Sequence, residues 1–207
     1  MTRKLLSLVM ALMLALGLAG ALAEAFEGFY DYDAPYGLDT DINMILTPDG
    51  HGRLINSTAS VSFDFTEEDG RLVPDSDQLL LVVNGDRALA TVAGTSLEFV
   101  RRADVEGGEA VVGAWKIVGM DNNGIHYDTA AIGVSVDAVF YPSGAVSWHA
   151  VTDSDSTLAQ GWGVDGVGFY MKNGDTTIRI LPEDDTLTLV YPDTGRGEVT
   201  YTFVRGE

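Results

Sequence analysis

The chain has 207 residues, 31 acidic and 12 basic side chains, no cysteine and 46% apolar residues. That length allows one domain or two small ones, and the apolar fraction is that of a packed protein, which excludes disorder along the full length. The missing cysteines exclude disulfide scaffolds, thiolate zinc sites, thiol nucleophiles and a lipid-modified N-terminal cysteine. The formal charge of −19 repels phosphates and argues against nucleic acid or anionic lipid as a direct partner.

Residues 1–23 read as a secretory signal peptide. Arg3 and Lys4 form a positive n-region, Leu5 to Ala19 an apolar h-region, and Ala21-Leu22-Ala23 a small-residue cleavage site. The apolar run is short for a membrane span, so cleavage before Glu24 and export are expected, with no stable membrane insertion afterwards.

After Ala25 helical periodicity is almost absent. Phe26, Phe29, Tyr30, Tyr32 and Tyr36 alternate with Glu27, Asp31 and Asp33, as in a first strand with one buried face. Asp49-Gly50, Asp69-Gly70, Asn84-Gly85, Asn123-Gly124, Asp165-Gly166 and Asn173-Gly174 then follow as hairpin signals. Further on, period-2 alternation runs through Trp115 and Ile117, then Val136, Ala138 and Phe140, then Val146 and Trp148. It continues through Trp162 and Val164, then Val167, Phe169 and Met171, then Ile178 and Ile180. Leu187, Leu189 and Tyr191, and finally Val199, Tyr201 and Phe203, bring the second half to eight expected strands.

The first half repeats the plan. Leu46-Thr-Pro48-Asp-Gly50 matches Phe140-Tyr-Pro142-Ser-Gly144 at an offset of 94, and Asp69-Gly70 matches Asp165-Gly166 at 96. Ala88–Val92 matches Thr186–Val190 at 98, and Phe99-Val-Arg101 matches Phe203-Val-Arg205 at 104. A slowly rising offset is what loop insertions in a duplicated unit produce. The reading is all-β: two tandem antiparallel meander or up-and-down barrel-like modules, residues 24–102 and 113–207, joined by a linker at 103–112 and preceded by the signal helix. Closing each meander into a barrel removes its exposed edges; a pair of small sandwiches or half-barrels is the alternative.

Gly113-Ala-Trp115 at the start of the second module and Tyr201-Thr-Phe-Val-Arg205 at its end resemble the lipocalin-like domains of the calycin group. The resemblance covers about residues 113–205, and Gly161-Trp162-Gly-Val-Asp165-Gly166 is similar to a mid-barrel hairpin of such domains. It implies that Trp115 plugs one barrel end with Arg205 across its ring. The first module departs from the pattern, with Gly28-Phe-Tyr30 in place of Gly-x-Trp, but keeps a terminal Arg101. The same closing role is expected of Tyr30 and Arg101.

Catalytic signatures are weak. Gly161-x-Gly163-x-x-Gly166 spells a dinucleotide fingerprint without its strand–helix context. His51, His126 and His149 have no zinc-hydrolase spacing, and no serine sits in a nucleophile elbow. Paired carboxylates lie mainly in turns, where they read as a solvated acidic surface. Calcium is the other reading, with Asp153 and Asp155 as the candidate ligands. No other cofactor is expected.

Two functions follow. One is a secreted non-enzymatic binding protein holding a small apolar or amphipathic ligand near Trp148, Trp162, Phe169 and Met171. The other is a cell-surface structural or protein-interaction module, an inhibitor being one version, with filled barrels. Calcium binding by the acidic loops, or an enzyme using turn carboxylates, ranks third. Ligand, protein partner and oligomeric state are not encoded in any motif.

Overall fold

The computed structural model describes residues 26–33, 42–56, 59–152, 154–173, 176–192 and 197–206. Residues 1–23, expected to form a signal peptide, lie outside them, as do Tyr36, Gly174 and the calcium candidate Asp153.

The fold is all-β, in two barrels. The first is built from β1 (Gly28–Tyr32), β2 (Asn43–Leu46), β3 (His51–Ile55), β4 (Ser60–Glu68), β5 (Arg71–Pro74), β6 (Leu79–Asn84), β7 (Arg87–Val92) and β8 (Thr95–Arg101). Their order is β5-β4-β3-β2-β1-β8-β7-β6, with β1 antiparallel to both β2 and β8. The barrel is nearly closed: no hydrogen-bond ladder joins β5 to β6. Leu72 and Leu81, each 5% exposed, belong to one core cluster and line the gap from inside.

The second barrel comprises β9 (Gly113–Asn122), β10 (Ile125–Asp128), β11 (Ser135–Phe140), β12 (Ala145–Val151), β13 (Asp155–Asp165), β14 (Gly168–Asn173), β15 (Thr176–Glu183), β16 (Thr186–Tyr191) and β17 (Val199–Arg205). Here β14 and β15 do pair, and β17 closes onto β9 from Arg205↔Trp115 to Val199↔Asn122. Alternate residues point inward. Trp115, Phe140, Trp162, Met171, Ile178, Ile180, Leu187, Leu189 and Phe203 form one buried cluster. Burying each such side chain contributes about 1.5–3 kcal/mol.

Equivalent backbone hydrogen bonds mark the duplication. Tyr141 N donates to Ala145 O at 2.9 Å, Gly144 N to Tyr141 O at 3.1 Å and Trp162 N to Gly144 O at 2.7 Å. In the first barrel Thr47 N donates to His51 O at 2.9 Å, Gly50 N to Thr47 O at 3.1 Å and Phe65 N to Gly50 O at 2.8 Å.

The structure shifts two details of the sequence alignment. Ala88 pairs with Phe99 and Leu187 with Phe203, so Ala88 matches Leu187, one residue beyond the expected Thr186. A slip of one would turn every side chain of the strand to the wrong face. The turn after β13 is centred on Gly166-Val167, because Asp165 pairs with Gly168. Asp165 instead caps the turn, its carboxylate accepting the Val167 and Gly168 N–H groups at 2.8 and 3.1 Å.

The barrels meet side by side through outward faces. Ile45, Ala145 and Ala159 are buried together, with Phe29, Ile55 and Tyr141 packed against them. At Gly161 a Cβ would run into the Phe29 ring, so glycine is what lets β13 approach. The Arg102 guanidinium stacks on Phe29, 3.9 Å from its centroid, and binds Asp31 at 2.5 and 3.0 Å. Ser143 donates to Glu27 and Ser147 to Asp49, tying the two barrels across the same seam.

Candidate ligand-binding site

The second barrel has a plugged end. Trp115, 1% exposed, donates its indole N–H to Val111 O at 2.7 Å. Arg205 lies opposite it on β17, with its guanidinium carbon 4.2 Å from the ring centroid. The same guanidinium donates to Val112 O at 2.7 Å and Ala110 O at 3.3 Å. Gly113 sits beneath: its φ is +128°, and a Cβ there would be 2.5 Å from Arg205 Nη1. Gly-x-Trp is thus a contact requirement, a bare backbone under a guanidinium that covers an indole. Residues 103–112, expected as a linker, supply these carbonyls. Val105, Val111 and Val112 pack into the barrel core, and Gly108 abuts the Trp162 ring.

The first barrel repeats the arrangement with Tyr30. Tyr30 stands opposite Arg101, is fully buried, and donates its hydroxyl to Phe26 O at 3.1 Å, four residues upstream as in Trp115. Burial pushes the Tyr30 hydroxyl up to about 12. A Cβ on Gly28 would lie 2.9 Å from Arg101 Nε. Arg101 Nη2 reaches Glu27 at 3.4 Å. Glu27, 8% exposed, is raised above the ordinary carboxylate range by burial, against the opposing pull of Ser143 and Arg101.

The expected ligand residues Trp148, Trp162, Phe169 and Met171 do not gather at one mouth. They belong to an aromatic column that runs along the barrel interior. Trp148 meets Phe140 at 5.7 Å, Phe140 meets Trp162 at 6.0 Å, and Trp162 meets Phe169 at 6.1 Å between centroids. Trp162 and Met171, 2% and 1% exposed, sit paired, with the Trp162 ring against Gly108 of the plugging segment. Phe169 lies next to the β13–β14 turn, at the plugged end. Trp148 lies toward the opposite end and packs on Phe203 at 5.9 Å. One pleat beyond Phe203 on β17, Tyr201 meets Tyr191 edge-on at 5.3 Å. Burial, with Tyr201 alongside, raises the Tyr191 hydroxyl. This tyrosine pair was legible only as strand alternation; its position at the mouth needs the β16–β17 register.

The three indoles differ in one respect. Trp115 donates to Val111 O, and Trp162 donates to both Tyr141 O and Ala145 O at 3.0 and 3.1 Å. Trp148 is half-buried, but its Nε1 is sealed from solvent and has no acceptor.

The first barrel carries a cleft of about 280 Å³ at the Thr47–Gly50 turn, floored by Phe26, Phe65 and Leu72 with Asp49 and Glu67 at its rim. As for calcium, Asp155 stands 2.7 Å from His149 Nε2, and no group of three or more metal-ligating side chains occurs among the described residues.

No protein-family model matches the chain, and no curated protein matches it. Four solved chains do match. One is a protein of unknown function of the DUF3598 family from Nostoc punctiforme, 13% identical, covering 89% of this chain and 98% of its own at a TM-score of 0.26. That overlap is too loose to carry any residue's role across.

Proposed function

We propose that the chain is an exported, non-enzymatic binding protein whose second barrel holds a small amphipathic molecule at the end opposite the Trp115 plug. The Trp148 indole carries this reading. A buried N–H without an acceptor costs about 1–3 kcal/mol, and the other two indoles in the same barrel are fully provided for. Once the side chains that now cover Nε1 part, a ligand carbonyl, hydroxyl or carboxylate oxygen would supply the acceptor the chain lacks. Its apolar part would rest against Trp148 and the Tyr191–Tyr201 pair, with Phe140 and Trp162 beneath as a rigid floor. Trp162 and Met171, expected as ligand contacts, then act through the packing of that floor.

The test is native mass spectrometry after incubation with an extract of the culture medium. A discrete adduct of low molecular mass on the wild type, lost in Trp148→Phe, is expected. A bare protein peak, or an adduct retained by the variant, removes the reading.

A second reading, the protein-interaction module, is supported by the outer face of β6. Leu80 and Val82 there are 67% and 61% exposed, and Val82 pairs with the exposed Leu89 on β7. Leu80→Ser would weaken partner capture on this reading and leave the Trp148 adduct untouched.

A further inference from the structure

Among the described residues four arginines are half-buried: Arg53, Arg101, Arg102 and Arg179. Three have a carboxylate, respectively Glu27, Asp31 and Asp165 for the last three. Arg53 has none. Its one hydrogen bond is from Nη2 to Ser60 Oγ at 2.9 Å; its Nε, like that of Arg101, is sealed from solvent without an acceptor, so the missing carboxylate is what sets it apart. In a chain with 31 acidic side chains this is an anomaly of placement, not of supply.

The strand register explains the placement. Arg53 lies on the outward face of β3, opposite Ile45 on β2 and Ser62 on β4. Ile45 is fully buried in the seam between the barrels, which places Arg53 beside apolar surface on the same face of the sheet. Ser60 and Ser62 are exposed on the other side. The nearest carboxylate along that face, Asp64, pairs with His51 at 2.6 Å. A guanidinium stays charged at any physiological pH, so partial burial without a counter-ion destabilises the fold, where leucine or methionine would extend the seam without that penalty. Burial alone lowers its proton affinity, and no neighbouring acid offsets it.

We propose that Arg53, with the Ser60 and Ser62 hydroxyls, forms an oxyanion-binding site at the rim of the seam, taking a carboxylate or phosphate group of a ligand end-on through its two terminal nitrogens. Half-burial already restricts the side chain, so less of its freedom is lost on binding. The planar fork suits two oxygens of one group, and the two hydroxyls add donors beside it. The long-range field of the acidic chain opposes every anion, so occupancy depends on this local geometry.

The probes are inorganic phosphate and succinate, each titrated against chloride at constant ionic strength while thermal unfolding of the whole protein is followed. A saturable rise in Tm is expected with at least one probe. It should vanish in Arg53→Gln and persist in Arg71→Gln, which alters an exposed arginine. A response to succinate alone assigns a carboxylate source, and one to phosphate alone a phosphate source. Arg53→Met guards against a folding defect: it should be at least as stable as the wild type in chloride yet blind to both anions. The absence of a saturable rise with either probe, or an equal rise in Arg53→Gln or Arg53→Met, overturns the site.

Discussion

Gly50 and Gly144 hold the same left-handed conformation, φ +89° and +87°, and at each a Cβ would stand 2.8 Å from a backbone oxygen, that of Phe65 and of Trp162 respectively. Two constraints therefore act on one atom. Gly124, at φ +78°, has open space where its Cβ would be. Alanine at Gly124 should cost about 1 kcal/mol from backbone conformation alone. Alanine at Gly50 or Gly144 should cost about 2–4 kcal/mol, since the carbonyl must also move. Urea unfolding of the three variants gives the comparison, and equal losses would show that the close approach is unimportant.

Arg205→Lys should destabilise the second barrel by about 1–2 kcal/mol, because an ammonium cannot cover the Trp115 ring and reach both loop carbonyls at once. Arg71→Lys, on an exposed hairpin end, should be nearly neutral. Chemical denaturation monitored by tryptophan emission reads the difference.

Removing an unsatisfied N–H should separate Trp148 from Trp162. Without ligand, Trp148→Phe should cost less than about 1 kcal/mol, since the lost ring area is offset by relief of the orphaned donor. Trp162→Phe loses two carbonyl partners and leaves a void in the column, for a cost of about 2–4 kcal/mol. A Trp148→Phe variant as damaged as Trp162→Phe would mean that Nε1 is well accommodated in the folded chain.

Glu27 and Asp165 should give pH profiles of opposite slope. Burial raises Glu27 above its usual 4.5, so the folded chain keeps this proton where the unfolded chain has released it. Its contribution is complete below 4.5 and is lost as pH rises through the folded value. The gap between wild type and Glu27→Gln should move in the wild type's favour as pH falls from neutrality toward 4.5. Asp165 is held below its usual 3.8, chiefly by the Val167 N–H and then by Arg179. Its contribution is present above 3.8 and lost as pH falls through the folded value, so the Asp165→Asn gap should shrink in acid. Stability curves at matched pH check both, and a flat Glu27→Gln gap would refute the first.

What was legible in the sequence depended on how many faces a strand buries. Strands of the second barrel with one wet face, such as Leu187–Leu189 and Ile178–Ile180, announced themselves by alternation. Strand β10 escaped notice: three of its four residues are exposed, so there is no buried face to generate a pattern. The seam was hidden for the opposite reason. Met44-Ile45-Leu46 and Ala145-Val146-Ser147 are consecutively buried, the mark of strands covered on both sides, but a reader of alternation assigns every second residue to solvent. The aromatic residues of the candidate site were legible as inward-facing. Their separation along the barrel axis was not, since it depends on the register around the ring of strands. Nothing local marks Arg53, whose distinction is the lack of a neighbour.

The seam joins two copies of one unit through unlike surfaces, a head-to-tail contact of the kind that can propagate into a filament if each copy offers both faces. Here neither copy does. The residues of the second barrel that correspond to Phe29, Ile45 and Ile55 are Ala114, Val139 and His149, of which Ala114 and His149 are exposed. Those of the first barrel that correspond to Tyr141, Ala145 and Ala159 are Thr47, His51 and Ser62. Among the described residues the bulky apolar set occurs once, and so does the small-residue bed that receives it. The seam is therefore specific to this pair of barrels, and the equivalent faces on their far sides do not repeat it.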